Sequence, residues 1–177
     1  MPKPIAAADV PGLLRPGMTV YAPGLAGESP VLVAALRAAA EACAGVRFVG
    51  VWLPGINRVD YAGLHPQARA TAFFVTRDMA SSFAAGRIDF RPLSYFETFR
   101  YLRDLLPIDL AILHTAPPDA AGELSLGVAN DFTPAILAKA RRKVALVNRQ
   151  MPCTRGARIP LVAVDWIVDA DAPLPDD

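Results

Sequence analysis

Three stretches of this chain carry the residue types that a binding site needs. The first, Pro23-Gly-Leu-Ala-Gly-Glu-Ser, sets Gly24 and Gly27 just ahead of Ser29. Glycine lets a backbone approach a ligand, and the amino terminus of a following helix favours an anion. A turn that merely needs glycine is the alternative. The stretch has neither the Walker lysine nor the GxGxxG dinucleotide fingerprint, so it gives little support for a nucleotide site. The second runs from His114 to Asp131 and contains Asp119, Gly122, Glu123, Ser125 and Gly127. It is too long and polar for an ordinary connection of about two to six residues, and long loops at strand ends are often functional. Asp119 and Gly122 also suit a turn, with Ser125 and Gly127 in a short extended piece. Glu123 has the chemistry of a base or nucleophile, against its reading as an exposed acid. The third, Asn148-Arg-Gln-Met-Pro-Cys-Thr-Arg-Gly, offers Asn148, Met151 and Pro152. Asn148 could fix a ligand amide or a neighbouring loop. Arg149, Arg155 and Arg158 could meet phosphates or lie on the surface unengaged.

Other chemistries find less support. His65 precedes a proline and His114 ends an apolar run, and neither has serine or aspartate at a recognisable triad spacing. Cys43 and Cys153 are the only cysteines, with no CxxC and no adjacent histidine, so neither a disulfide framework nor a metal site is expected. Lysine plus arginine (18) nearly balances aspartate plus glutamate (17), which leaves no overall field to gather nucleic acid or an anionic membrane. No apolar run reaches the roughly 18 residues of a membrane span. A soluble, cytoplasmic protein is expected, its partner a protein or a small molecule.

These stretches need elements to position them. With 177 residues and 53% apolar content, the chain can bury one substantial core, and a single domain over 1–177 is expected. Short β-branched and apolar runs predict strands from Gly17, then at 46–53, 70–75, 108–114, 143–148 and 161–168. Helical spacing appears after Ser29, with that serine as cap and Pro30 in the first turn. It recurs at 78–85, at 95–106, and from Asp131, where Thr133 is read as the cap and Pro134 as the first turn. The basic run Arg141-Arg142-Lys143 is read as closing that last helix, where cations offset the exposed carbonyls. Strands alternating with helices predict an α/β fold, an open, mostly parallel, doubly wound sheet. In such sheets ligands bind at the carboxyl ends of the strands, where all three stretches fall.

Taken in order, the three stretches resemble a known family. The segment Asp109-Leu-Ala-Ile-Leu-His-Thr-Ala-Pro-Pro-Asp-Ala-Ala-Gly-Glu-Leu-Ser-Leu-Gly is similar to the pattern of the acetyl-CoA hydrolase/CoA-transferase family: an aspartate, an apolar strand, then Ser-Pro-x-Asp-x-x-Gly-x-x-Ser-x-Gly. Ala116 stands in the serine position. Val147-Asn-Arg-Gln-Met-Pro-Cys-Thr-Arg-Gly resembles that family's Val-Asn-x-x-Met-Pro-x-x-x-Gly, and the segment from Asp165 to Leu174 resembles the one that closes its first domain. Upstream, 86–94 is similar to a family strand entry, and 24–36 to the glycine loop and helix of class I CoA-transferases.

The resemblance implies the amino-terminal half of an enzyme that moves CoA between carboxylic acids or hydrolyses an acyl-CoA through a glutamyl-CoA thioester. The nucleophilic glutamate belongs to the family's second half, so no catalytic residue is assigned here, and Glu28 and Glu123 do not inherit that role. The half would form one wall of the acyl pocket from Gly24, Gly27, Ser29, Asp119, Gly122, Ser125, Gly127, Asn148, Met151 and Pro152. It would take a coenzyme A thioester as substrate with no permanently bound cofactor or metal. Its partners would be a catalytic second half-domain or subunit and a small carboxylic acid, with dimerisation a further option; alone it would be inactive. A non-catalytic acyl-CoA or partner-binding module on the same fold is the competing reading. A sugar-phosphate isomerase would need a lysine and acid pairing that is not found.

Overall fold

The computed structural model describes residues 1–174. Its strands are β1 (Lys3–Pro4), β2 (Thr19–Tyr21), β3 (Arg47–Gly50), β4 (Arg69–Ala72), β5 (Ile88–Phe90), β6 (Leu110–Thr115), β7 (Glu123–Ser125), β8 (Arg142–Val147), β9 (Arg158–Pro160) and β10 (Trp166–Asp169). Eight of them form one sheet in the order β1-β10-β8-β6-β2-β3-β4-β5, and every neighbouring pair is parallel. The chain builds outward from β2 to β5, then returns to the other side of β2 to lay down β6. The strand order therefore reverses between β2 and β6, which opens a crevice at their carboxyl ends.

Side chains alternate across the sheet because successive Cβ atoms point to opposite faces. In β6, Leu110 and Ile112 enter one core cluster, while Ala111 and Leu113 enter the other. The first face is covered by Val10 of an amino-terminal 3₁₀ segment, by Leu14 just after it, and by Leu32, Val33 and Leu36 of α1 (Pro30–Ala38). Short α2 (Ala80–Ala84) is preceded by a 3₁₀ turn, Arg77–Met79, whose Met79 joins that cluster. The second face is covered by α3 (Tyr95–Arg100), its π-turn continuation Tyr101–Leu105 carrying Leu102, and by α4 (Pro134–Leu137) carrying Ile136. This is the mostly parallel α/β sheet with flanking helices that the alternation predicts.

Ser29 caps α1 as expected, its Oγ accepting from the Leu32 N–H at 3.4 Å, with Pro30 as the first helical residue. Three local expectations need correction. Thr133 makes no capping bond; its hydroxyl pairs instead with the Tyr21 hydroxyl at 3.1 Å, across to β2. Arg142 and Lys143 do not close a helix but open β8, because α4 ends at Leu137. The expected strand at 161–168 is a 3₁₀ turn, Leu161–Ala163, followed by β10, the turn being set by the Val164 N–H bonding back to the Leu161 carbonyl.

Candidate functional site

The three chemistry-bearing stretches leave the carboxyl ends of β2, β6 and β8, which are immediate neighbours in the sheet. They also bond to one another. In the first loop, Gly24 is buried so close to β3 that an added Cβ would collide with the Val51 carbonyl. Leu25 takes a left-handed φ of 53°, a conformation that needs outside support for a residue with a side chain. Buried Asn57 supplies that support: its Oδ1 accepts from Leu25 N–H at 2.8 Å and from Leu53 N–H at 3.0 Å, and its Nδ2 donates to the Leu25 carbonyl at 3.1 Å. The sequence reading missed Asn57, whose proline- and glycine-flanked surroundings look like an ordinary turn.

The second stretch is not a plain loop. Its β7 pairs antiparallel with β9 in a two-stranded ribbon, Leu124 opposite Ile159. Asp119 makes the turn that enters it, accepting from Ala121 N–H at 2.9 Å and Glu123 N–H at 3.0 Å and pairing with Arg158. The Glu123 N–H is the largest force holding the Asp119 carboxyl below its usual range, and Ala121 and Arg158 add to it against desolvation. Gly122, with φ of 75°, completes the same turn. Asp119 and Gly122 are thus committed to shaping the ribbon. Glu123 is half-buried in β7.

Ser125 joins the second and third stretches. It is buried, and its Oγ accepts from Gly127 N–H at 3.2 Å and from Thr154 N–H at 3.1 Å. Thr154 returns a bond to the Gly127 carbonyl at 3.2 Å. Gly127 sits at φ 55° with buried Met151 against it, so a side chain there would strike the thioether; the Pro152 carbonyl lies at the same spot, its ring on the exposed side. Ser125→Ala would leave two N–H groups without their acceptor. A loss of about 2 kcal/mol is expected, read as a melting temperature lower by about 4–8 °C.

His114 draws the first and third loops together. The ring is buried at the end of β6, with Nδ1 3.1 Å from the Gly27 carbonyl and Nε2 3.1 Å from the Asn148 amide nitrogen. Asn148 also donates to the Ala172 carbonyl at 2.8 Å and accepts from Gln150 N–H at 2.9 Å. In the structure Asn148 holds neighbouring segments together through these bonds. The sequence held no sign of the His114 role, because its partners are 87 and 34 residues away. Burial holds the imidazole below its ordinary pKa, with the Gly27 carbonyl opposing.

Of the three arginines, Arg158 is held by Asp119, and Arg149 by Asp169 at 3.3 Å and Asp171 at 2.8 Å. Arg155 is exposed and makes no ion pair or side-chain hydrogen bond among the described residues. Cys43 is buried and Cys153 exposed. Two clefts flank the loops. One of 430 Å³ lies among Pro4, Pro117, Val147 and Arg149. The other, of 370 Å³, lies among Glu28, Arg37, Arg58 and Leu174. Burial raises the Glu28 carboxyl to about 7, partly offset by the Asn57 amide and the Arg37 charge.

A parallel sheet that reverses its order beside three interlocked carboxyl-end loops defines an α/β protein with a candidate site at the switch point. Comparison with known proteins makes the class specific: the model of the acetyl-CoA hydrolase/transferase N-terminal domain matches residues 2–175, and the chain belongs to that family. It is 33% identical over 153 residues to a 4-hydroxybutyrate coenzyme A transferase of Clostridium kluyveri, covering 84% of this chain and 35% of that protein. A succinyl-CoA:cyclohexane-1-carboxylate CoA transferase of Geobacter metallireducens is 32% identical, over 62% of this chain and 25% of that protein. The chain thus matches about a third or less of these relatives' length. Among solved structures, RipA from Yersinia pestis superposes with a TM-score of 0.85 at 25% identity, over 97% of this chain and 43% of that one. A variant of the decarboxylase AibA/AibB shares the fold with a TM-score of 0.69 at 15% identity, and there the match covers 83% of that chain.

Proposed function

We propose that this chain is one half of a CoA-transferase or acyl-CoA hydrolase, forming a wall of the acyl pocket, and that a second half-domain or subunit brings the nucleophilic glutamate. The observation that carries the reading is the convergence of the β2, β6 and β8 loops on one switch-point crevice in a chain of this family. Residues 1–177 act as a single α/β unit in this account, with an acyl-CoA thioester and a small carboxylic acid as substrates and no resident cofactor.

The chemistry favours two halves. A carboxylate attacks a thioester poorly in water and needs a dry, oriented site with donors aimed at the developing oxyanion. An open sheet end cannot exclude water unaided. Large apolar side chains left exposed on this chain include Ile56 beyond β3, Phe90, Tyr95 and Phe96 at and beyond the end of β5, and Val128 beyond β7 of the ribbon. Phe83, Leu105 and Val162 are exposed away from these ends, so it is the apolar side chains beside the loops that support a protein cover there.

The test is the native mass of the protein isolated gently from its own cells, with any companion chain identified and the complex assayed for CoA transfer and acyl-CoA hydrolysis. Activity confined to a complex with a companion carrying the second half is the expected result. Given acyl-CoA by itself, the chain is expected to form no covalent CoA thioester. A hydroxylamine-sensitive mass adduct on Glu28 or Glu123 would overturn the assignment of the nucleophile to the second half, and a lone inactive chain that binds acyl-CoA would favour the binding-module reading.

A further inference from the structure

We propose that His114 is a positioning residue: as a neutral imidazole it latches the glycine loop to the closing segment 170–174, through the Gly27 carbonyl on one side and Asn148 on the other. The latch follows from accounting for each donor and acceptor. The Asn148 Oδ1 faces the N–H of Gln150 at 2.9 Å, and its Nδ2 faces the Ala172 carbonyl at 2.8 Å. Flipping the amide would set oxygen against oxygen and nitrogen against N–H, so the orientation is fixed by its surroundings. One Nδ2 hydrogen goes to Ala172, which leaves the other for the His114 Nε2 at 3.1 Å. That nitrogen must therefore accept. The ring proton then sits on Nδ1 and is donated to the Gly27 carbonyl at 3.1 Å.

An imidazolium cannot make this arrangement, because a proton on Nε2 would face the Asn148 amide hydrogens. The charged groups carried by the surrounding segments are Glu28 beside Gly27, Asp131 past the second loop, and Arg149 with its partners Asp169 and Asp171. None of them is among the forces that set the ring's protonation, which are burial and the Gly27 carbonyl. The closing segment is held a second time where Asp171 accepts from the Arg149 N–H at 2.6 Å. Its end reaches the glycine loop, since Pro173 and Leu174 line the cleft that holds Glu28. One ring thus sets how the loop after β2 stands relative to the segment that leaves the sheet. The latch does not depend on the proposed acyl-CoA activity, and it can be tested in the chain alone.

The experiment combines ¹⁵N NMR of the imidazole with amide hydrogen exchange in 24–29 and 170–174. Expected at pH 8 is the Nδ1–H tautomer, the minor one in free histidine. His114→Phe, which keeps bulk but neither bond, should speed exchange at least tenfold in both segments, whereas His114→Gln, with one donor and one acceptor on its amide, should keep most of the protection. Because Glu28 titrates within the same loop, the acid test is made in a Glu28→Gln background: acidifying from pH 8 until the ¹⁵N shifts report the imidazolium should loosen both segments together, and adding His114→Gln should remove that response. An Nε2–H tautomer, or loss of protection in only one segment, would overturn the latch. Should His114→Phe fail to fold, the wild-type tautomer and acid titration decide the matter by the same criteria.

Discussion

Gly24→Ala is expected to cost about 3 kcal/mol, lowering the melting temperature by about 6–12 °C, and to abolish whatever the assembled protein does at this face. The cause is contact with backbone. An added Cβ would run into the carbonyl oxygen and carbon of Val51 and crowd the Trp52 ring. Neither side can give way cheaply, because Trp52 is fully buried against Tyr61, with ring centroids 4.9 Å apart, and Val51 follows directly on β3. The loop must move, and its movement would break the Asn57 clamp that holds Leu25 at its left-handed φ. Gly12→Ala is the control: a Cβ there meets nothing within 4 Å, so its melting temperature should stay within about 2 °C of the parent, as for surface changes generally. Thermal melts of both variants decide it. Equal stability of the two would mean that the β2 loop does not pack on β3 as described.

Glu28→Gln should instead stabilise the protein, by an amount that grows as pH rises from about 4.5 to about 7 and is then constant. Its carboxyl titrates at about 7 in the fold against an ordinary value of 4.5, chiefly because burial disfavours the charge; the Asn57 amide and Arg37 pull the other way. One oxygen, Oε2, is buried with no hydrogen-bond partner among the described residues. The sign follows from proton counting. Between 4.5 and 7 the folded state holds more protons than the unfolded one, so stability falls as pH rises through that window and levels off above it. The full shift corresponds to roughly 3 kcal/mol, which solvent at this partly exposed side chain reduces to about 1–2 kcal/mol. Glutamine carries no charge to bury. A gain of about 3–6 °C in melting temperature is expected at pH 8 and none at pH 4; an equal gain at both would assign the effect to shape and not to ionisation.

How much of this was legible in the sequence depended on the range of the interaction. The β6 and β8 strands were found within two residues because each contains a continuous apolar run, Leu110 to Leu113 and Val144 to Val147. The α1 cap was found because serine and proline act on the adjacent turn. The strand expected at 46–53 ends early, at Gly50, since the next residues turn to place Trp52 beneath the glycine loop. Thr133 looked like a cap from its neighbours, but its hydroxyl bonds across to Tyr21, 112 residues away. The same distance effect hid the site's internal bonding. Position and loop length singled out Ser125, Gly127 and Asn148, yet that they bind one another, through Thr154, Met151 and His114, is a property of the tertiary fold. Asp119 and Gly122 were correctly read as turn-capable, and the ribbon they introduce required β9, far along the chain.

The pairing of β1 with β10 bears on how the protein comes to be folded. Lys3 lies opposite Trp166 and Pro4 opposite Ile167, so strands more than 160 residues apart are joined. A ribosome that has delivered β2 to β5 has delivered one side of the sheet, four strands in consecutive order, while the other side still lacks every partner for β1. Closing so long a loop carries a large entropic cost and gives contacts of high sequence separation, which slow folding. The β1–β10 edge cannot form until residue 166 has been made, so in a nascent chain halted before it β1 would lack its partner strand.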